Sequence, residues 1–171
     1  MNTMIIEKKG KFDTDYDRIL WTLKVRSKDE TRQAITGVNI DGGLMVCTDG
    51  HRMHCYMTDR NIDNGYYHVK QSTAKMIVLE KDQDGIDYPE YQRVFPSHKP
   101  TKRLFCNGDK SPFIRTIYHD FADNCGYNVE FLHDAYMENS DIEISHTGNM
   151  APLCLYDVSN NRAALIMPTK M

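Results

Sequence analysis

The apolar positions of this chain fall into short runs whose period changes several times. Met4, Ile5 and Ile6 form a strand-like run, closed by the turn signal Lys8-Lys9-Gly10. Tyr16, Ile19, Leu20 and Leu23 then recur at helical spacing, with Asp13 or Thr14 placed to cap the first turn. From Ala34 the period becomes two, through Ile35, Val38 and Ile40 to a Gly42-Gly43 turn and on into residues 44–47. The pairs Asp41-Gly42 and Asp49-Gly50 predict hairpin turns, because glycine accepts the positive φ that such turns need. A third strand is expected over 51–57, with Met53, Cys55 and Met57 on one face. Residues 66–69 and 76–79 predict a further hairpin, unless the second run belongs to a short helix.

Pro89, Pro96 and Pro100 make residues 86–100 read as an extended connector. Beyond it, Val129, Leu132, Ala135 and Tyr136 predict a helix capped by Asn128. Strands follow over 142–144 and 153–156, and Ser159-Asn160-Asn161 turns the chain into a last strand over 163–167, stopped by Pro168. Each half thus shows a helix followed by short antiparallel strands. The expected class is α+β, two helices packed on antiparallel sheets with an internal pseudo-repeat. The expected organisation is one domain, with a first half of about 1–85, a connector of about 86–110 and a second half of about 111–171.

Composition changes this picture little. Hydrophobic residues are 40% and charged residues 26%, as in ordinary globular proteins. A formal net charge of -3 argues against a chain that coats nucleic acid over its whole surface, yet leaves room for a local basic face. No run approaches the roughly 18 apolar residues of a membrane span, and the N-terminus turns charged before any signal-peptide core can form. A cytoplasmic protein without membrane contact is the expectation. The five cysteines are odd in number and scattered without a CxxC pair, which predicts reduced, idle thiols.

Candidate chemistry is thin. His51, His54 and Cys55 lie close together, as a metal site would require, but on a strand His54 points away from the other two. His119 and His133 complete no tetrahedral set. Asp13, Asp15 and Asp17, or Asp82 and Asp84, are candidate paired carboxylates that fall at capping or turn positions. No phosphate loop, nucleophile elbow or HExxH occurs. The expectation is no catalytic residue, no metal and no cofactor: a binding protein, not an enzyme.

Four segments carry a resemblance. Residues 46–53, VCTDGHRM, resemble the strand-turn-strand motif ATDGHRL in the middle domain of the bacterial DNA polymerase III β subunit, the sliding clamp. Residues 88–96, YPEYQRVFP, resemble its FPDYRRVLP segment, where the middle domain joins the last. Residues 126–132, GYNVEFL, are similar to its helix start GFNVSYVLD, and residues 164–171, ALIMPTKM, to its terminal VVMPMRL. The four occur in the clamp's order and cover about half the chain; residues 97–125 match nothing in it. A full clamp carries three domains and closes a ring with a second copy, whereas this chain has room for one.

What the resemblance implies is a DNA clamp-like fold and the clamp's pocket for linear peptide motifs of DNA polymerase and other replication or repair proteins. Carried over by position, Thr48, Gly50, His51, Arg52 and Met53 form one wall. Pro89, Tyr91, Arg93 and Val94 form the floor and a rim, and Leu165, Met167, Pro168, Thr169, Lys170 and Met171 close the other side. Thr169 stands where the clamp has Met. A clamp also touches duplex phosphate loosely from its helices, which here implicates Arg18, Lys24, Arg26 and Lys28. The second helix, with Glu130, Asp134 and Glu138, is too acidic for that role. A processivity or adaptor protein is expected, encircling double-stranded DNA as a homo-oligomer or acting as a monomeric decoy; a small metal-dependent DNA-processing enzyme is the contrasting class.

Overall fold

A computed structural model describes residues 3–95, 99–122, 125–148 and 150–170. Its chain divides into two compact units, residues 1–90 and 91–171.

The first unit opens with β1 (Thr3–Glu7) and α1 (Thr14–Leu23). Asp13 caps α1, its carboxylate accepting from the Tyr16 amide at 3.0 Å. Tyr16, Ile19 and Leu23, the expected stripe, are wholly buried. After a 3₁₀ turn at Glu30–Ile35 come β2 (Val38–Asp41), β3 (Leu44–Thr48), β4 (Arg52–Met57), β5 (Gly65–Ser72) and β6 (Met76–Lys81). The strand order is β1-β6-β5-β2-β3-β4, with every pairing antiparallel. The run at 76–79 is therefore a strand, paired with β5 across a bulge between Val69 and Gln71. Ile6, Ile19, Leu23, Val38, Ile40, Met45, Ile77 and Leu79 form the core beneath α1. Burying each such side chain contributes about 1.5–3 kcal/mol.

In the second unit a 3₁₀ turn at Tyr91–Val94 precedes β7 (Lys102–Cys106), α2 (Lys110–Phe121) and α3 (Val129–Ala135). Then come β8 (Ser140–Ser145), β9 (Leu153–Asp157) and β10 (Arg162–Ile166), in the antiparallel order β10-β9-β8-β7. Phe113, Ile117, Leu132, Ile142, Ile144, Leu153 and Leu155 are among its buried apolar residues.

Several expectations need correction. The described residues hold three α-helices where two were expected. α2 is capped by Asp109, and Pro112 sits in its first turn, where a missing N–H costs no hydrogen bond. Residues 86–100, read as extended, include the 3₁₀ turn at Tyr91–Val94, and the connector of about 86–110 also holds the strand β7. Ile35 ends a 3₁₀ turn instead of starting a strand, and His51 precedes β4. All five cysteines are free and buried, and burial pushes the Cys55 thiol up to about 12.

Candidate functional site

The first candidate segment is the turn between β3 and β4. Its geometry is fixed by bonds that begin with Asp49. One carboxylate oxygen accepts from the amides of His51 and Arg52 at 2.9 and 3.0 Å; the other accepts from Arg52 Nε at 2.9 Å. Thr48 closes the turn from the other side. Its Oγ1 donates to the Arg52 carbonyl at 2.7 Å and accepts from the Gly50 amide at 3.0 Å. Gly50 has φ +91°, a conformation that side-chain-bearing residues rarely adopt. Arg32, from the 3₁₀ turn, donates from Nη1 to the Asp49 carbonyl at 3.0 Å and lies over Gly50.

These bonds define what each predicted residue offers. Arg52 is held against Asp49, and Met53 is only 4% exposed, so it packs beneath the turn. Thr48 serves the turn. His51 is exposed at its tip. Pro89 is exposed as well, two residues before the 3₁₀ turn. Just before it, Tyr88 donates its hydroxyl to the Val46 carbonyl at 3.2 Å.

In the second unit, Arg93 and Val94 are exposed and Tyr91 is half-buried. Phe95 packs against Tyr156 with ring centroids 6.3 Å apart, which fixes the end of the turn. The C-terminal segment leaves β10 after Ile166. Leu165 is buried, and Met167 is the first residue with an exposed side chain. The segment then returns to the body of the unit through a two-way bridge. The Thr169 amide donates to the Gly126 carbonyl at 2.8 Å, and the Gly126 amide to the Thr169 carbonyl at 2.9 Å. Thr169 Oγ1 adds a third bond to the same Gly126 carbonyl at 3.1 Å. The Thr169 hydroxyl thus anchors the tail. Pro168 is half-buried and Lys170 exposed; Met171 and Pro96 lie outside the described residues.

The candidate phosphate contacts are dispersed. Only Arg18 lies on α1, and its guanidinium stands over the Tyr56 ring, 5.9 Å from the centroid. Lys24 is the C-cap, and Arg26 follows it, donating to the Leu23 carbonyl at 2.9 Å. Cations there complement the negative end of the helix dipole. Lys28 is exposed beyond the helix. α2 was missed in the sequence; its outward side carries Arg115 and His119, four residues apart on one face. α3 exposes Glu130 and His133.

Of the carboxylates considered for catalysis, Asp13 and Asp15 are already occupied. Asp15 Oδ1 accepts from the Tyr56 and Thr58 hydroxyls at 2.9 and 2.8 Å, and Oδ2 from Arg60 Nε at 2.6 Å. Arg60 also reaches Asp13 at 2.9 Å. Burial works to raise the pKa of Asp15, but the bonds from Thr58, Tyr56 and Arg60 outweigh it and hold the group below the usual carboxylate range. Among the described residues, no three His, Cys, Asp or Glu side chains converge as a metal set. His54 is wholly buried, stacked on Trp21.

No protein-family model and no curated protein matches this chain. Solved structures do. The chain superposes over 99% of its length on the DNA polymerase III β subunit of Thermotoga maritima, at a TM-score of 0.64 and 13% identity. The β subunit of Borrelia burgdorferi, solved in complex with a natural product, matches all of the chain at 0.66 and 16%. The sliding clamp of Bacillus subtilis matches 99% of it at 0.62 and 16%. The matches take in 65%, 65% and 64% of those proteins, so this chain spans a little under two thirds of their length. At these identities the likeness is one of fold: the chain has an α+β, DNA clamp-like fold.

Proposed function

We propose that this chain is a clamp-like adaptor or processivity protein that binds short linear peptide motifs of replication or repair proteins. The observation that carries the reading is the clamp-like fold found over the whole chain together with the four clamp-like segments in their expected order. The two units are read as the halves of one clamp-like domain, each opening with a strand and a helix and ending in an antiparallel meander.

The proposed contacts follow from exposure. In the first unit they are His51 and Pro89; in the second, Tyr91, Arg93, Val94, Met167, Pro168 and Lys170. Met167 and Val94 supply apolar surface, and Arg93 a donor for peptide carbonyls or an acidic side chain. Met53 and Leu165 are buried and support these residues by packing, Thr48, Gly50, Arg52 and Thr169 by fixing the turn and the tail through their hydrogen bonds, and Met171 is proposed to extend the tail. Duplex DNA is a weaker proposed partner, because neither α1 nor α3 presents a basic outward face.

The test is a fluorescence-anisotropy titration of a labelled peptide with one polar anchor and two or three apolar residues, the chemistry of a clamp-binding motif. Dissociation constants on the order of micromolar are expected. A protein lacking residues 167–171 should bind at least about tenfold more weakly. Equal affinity of the intact and shortened proteins would remove the assignment.

A further inference from the structure

Two Asn-Gly pairs occur in the chain, Asn64-Gly65 and Asn107-Gly108. This dipeptide is chemically labile, because glycine has no side chain to screen its amide nitrogen. That nitrogen attacks Cγ of the preceding asparagine. The new N–Cγ bond closes a succinimide ring, the Cγ–Nδ2 bond breaks, and ammonia leaves carrying the glycine amide proton. Water then opens the ring at either carbonyl, giving aspartate or isoaspartate. The reaction needs no oxidant and no cofactor. What decides it is whether the asparagine side chain is free to swing over the glycine nitrogen.

The structure separates the two pairs. Asn64 is held at both ends of its amide: Oδ1 accepts from the Gly42 amide at 2.8 Å, and Nδ2 donates to Asp41 Oδ1 at 3.4 Å. Its glycine is the first residue of β5, opposite Ile40 of β2, with the Lys81 side chain packed over it. Asn107 lies instead in the short link between β7 and the α2 cap Asp109. Its side chain is exposed and makes no hydrogen bond among the described residues. Gly108 is exposed as well, with φ +93°. One bond restrains it. Its amide donates to the Tyr136 hydroxyl at 2.9 Å, and that hydroxyl donates onward to the Asp109 carbonyl at 3.3 Å. Tyr136 is buried edge-on against Phe113, with centroids 5.6 Å apart, so the acceptor stands in a fixed place.

We infer that Asn107 is a site of spontaneous deamidation, and that the Tyr136 hydroxyl is the brake on it. Gly108 must give up its bond to Tyr136 before its nitrogen can attack. The reaction is therefore slowed about 2- to 10-fold, the range that one hydrogen bond sets. The product alters the start of α2. Aspartate at position 107 brings a second carboxylate close to Asp109, at the positive end of the helix dipole. Isoaspartate adds a main-chain carbon just ahead of the cap, whose carboxylate accepts from the Ser111 amide at 2.8 Å. The inference is independent of peptide binding, since residues 104–110 include no proposed peptide contact.

The experiment incubates the full chain at mildly alkaline pH beside a synthetic peptide of residues 104–110, which serves as the unrestrained clock. Trypsin then releases residues 104–110 after Arg103 and residues 61–70 after Arg60, so the two pairs are read by mass spectrometry in separate peptides. A sample digested without incubation sets the baseline, and fragmentation assigns the modified residue. Asn107 should convert to the acid forms, more slowly than the synthetic peptide, while Asn64 keeps its amide. Isoaspartate is recognised by enzymatic methylation of its freed α-carboxylate. Tyr136→Phe keeps the ring and removes the acceptor. It should speed conversion of Asn107 about 2- to 10-fold and leave Asn64 unchanged. Asn107→Gln, whose longer side chain closes the ring poorly, should abolish the reaction in residues 104–110. The inference is overturned if Asn107 is still an amide when the synthetic peptide has fully converted, or if Asn64 reacts as fast. An unchanged rate in Tyr136→Phe with a native circular dichroism spectrum also overturns it. The comparison of Asn107 with Asn64 uses the unaltered chain, so it stands even where a variant folds poorly.

Discussion

Arg32 lies directly over Gly50: a Cβ built on Gly50 would stand 2.6 Å from Arg32 Nη2. Gly50 also has φ +91°, which a side chain strains whatever the space. Gly50→Ala therefore meets two costs, a left-handed backbone and displacement of the guanidinium from the Asp49 carbonyl. The arginine is long and can move aside, so the backbone term dominates. A loss of about 1–3 kcal/mol is expected. Thermal melting of Gly50→Ala beside Arg32→Ala separates the terms: the arginine variant alone should lose about 1 kcal/mol or less.

Trp21 and His54 stack with centroids 3.9 Å apart and an interplanar angle of 16°, and His54 Nδ1 lies 3.0 Å from the Trp21 carbonyl. His54 is wholly buried. Removing its ring leaves a cavity and exposes one face of the chain's single tryptophan. His54→Ala is expected to destabilise the fold by about 2–4 kcal/mol. The same variant should shift Trp21 emission to longer wavelength, and an unchanged spectrum would contradict the stacked arrangement.

The Asp13–Arg60–Asp15 cluster predicts acid sensitivity. Burial raises the pKa of both carboxylates, but backbone and side-chain hydrogen bonds and the Arg60 charge outweigh it, so both stand below their usual value in the folded chain. A depressed folded pKa binds protons less readily than the unfolded chain does. The resulting stability is present above the unfolded pKa, near 4, and is lost as pH falls through the folded value. Asp157, held by Ser140, Arg162 and Asn160 against its burial, acts in the same direction. Urea midpoints should fall as pH drops below about 4, and Asp15→Asn should flatten that slope while lowering stability at neutral pH. A midpoint independent of pH in this range would refute the coupling.

How much of this was legible in the sequence depends on the separation of the partners. The turn after β3 reads directly from Thr48-Asp49-Gly50, because its bonds close within five residues. α1 reads from Asp13 and the stripe Tyr16, Ile19 and Leu23. β7 does not, because as an edge strand it exposes Lys102, Arg103 and Phe105 and so shows no clean alternation. α2 has an apolar stripe at Phe113, Ile117 and Phe121, but Pro112 in its first turn obscures where it begins. Arg32 against Asp49 and Thr169 against Gly126 span 17 and 43 positions, and no local pattern announces them. The division of the candidate residues into exposed and supporting members therefore needed coordinates.

Arg18 illustrates that division. Its guanidinium stands over the Tyr56 ring, where burial and the Asp15 hydrogen bond raise the phenol to about 12. A cation held on a buried aromatic contributes to stability in the range of about 0.5–1 kcal/mol. Arg18→Ala should lower the melting temperature by a few degrees. It should leave the salt dependence of any DNA retention unchanged, whereas a true phosphate contact would reduce the slope by about one. Retention of labelled duplex DNA measured across a salt series decides between the two roles.

Met167 and Met53 are both candidate pocket residues, and their exposures differ: 37% and 4%. The difference makes a paired test possible. Met53→Ala empties a packed position beneath the turn and should cost about 2–4 kcal/mol of stability, so its effect on binding is mixed with its effect on folding. Met167→Ala removes a side chain that already meets solvent, on a tail pinned independently by the Thr169–Gly126 bridge. Its melting temperature should stay within about a degree of the parent, since surface truncations fall within about 0.5 kcal/mol. If Met167 packs against an apolar anchor of a bound peptide, the same variant should bind about 5- to 30-fold more weakly, equivalent to about 1–2 kcal/mol of lost contact. Unchanged stability with weakened binding assigns Met167 to the peptide. Unchanged stability with unchanged binding removes it from the site and shifts the assignment to Val94 and Arg93, which the same titration can test in turn.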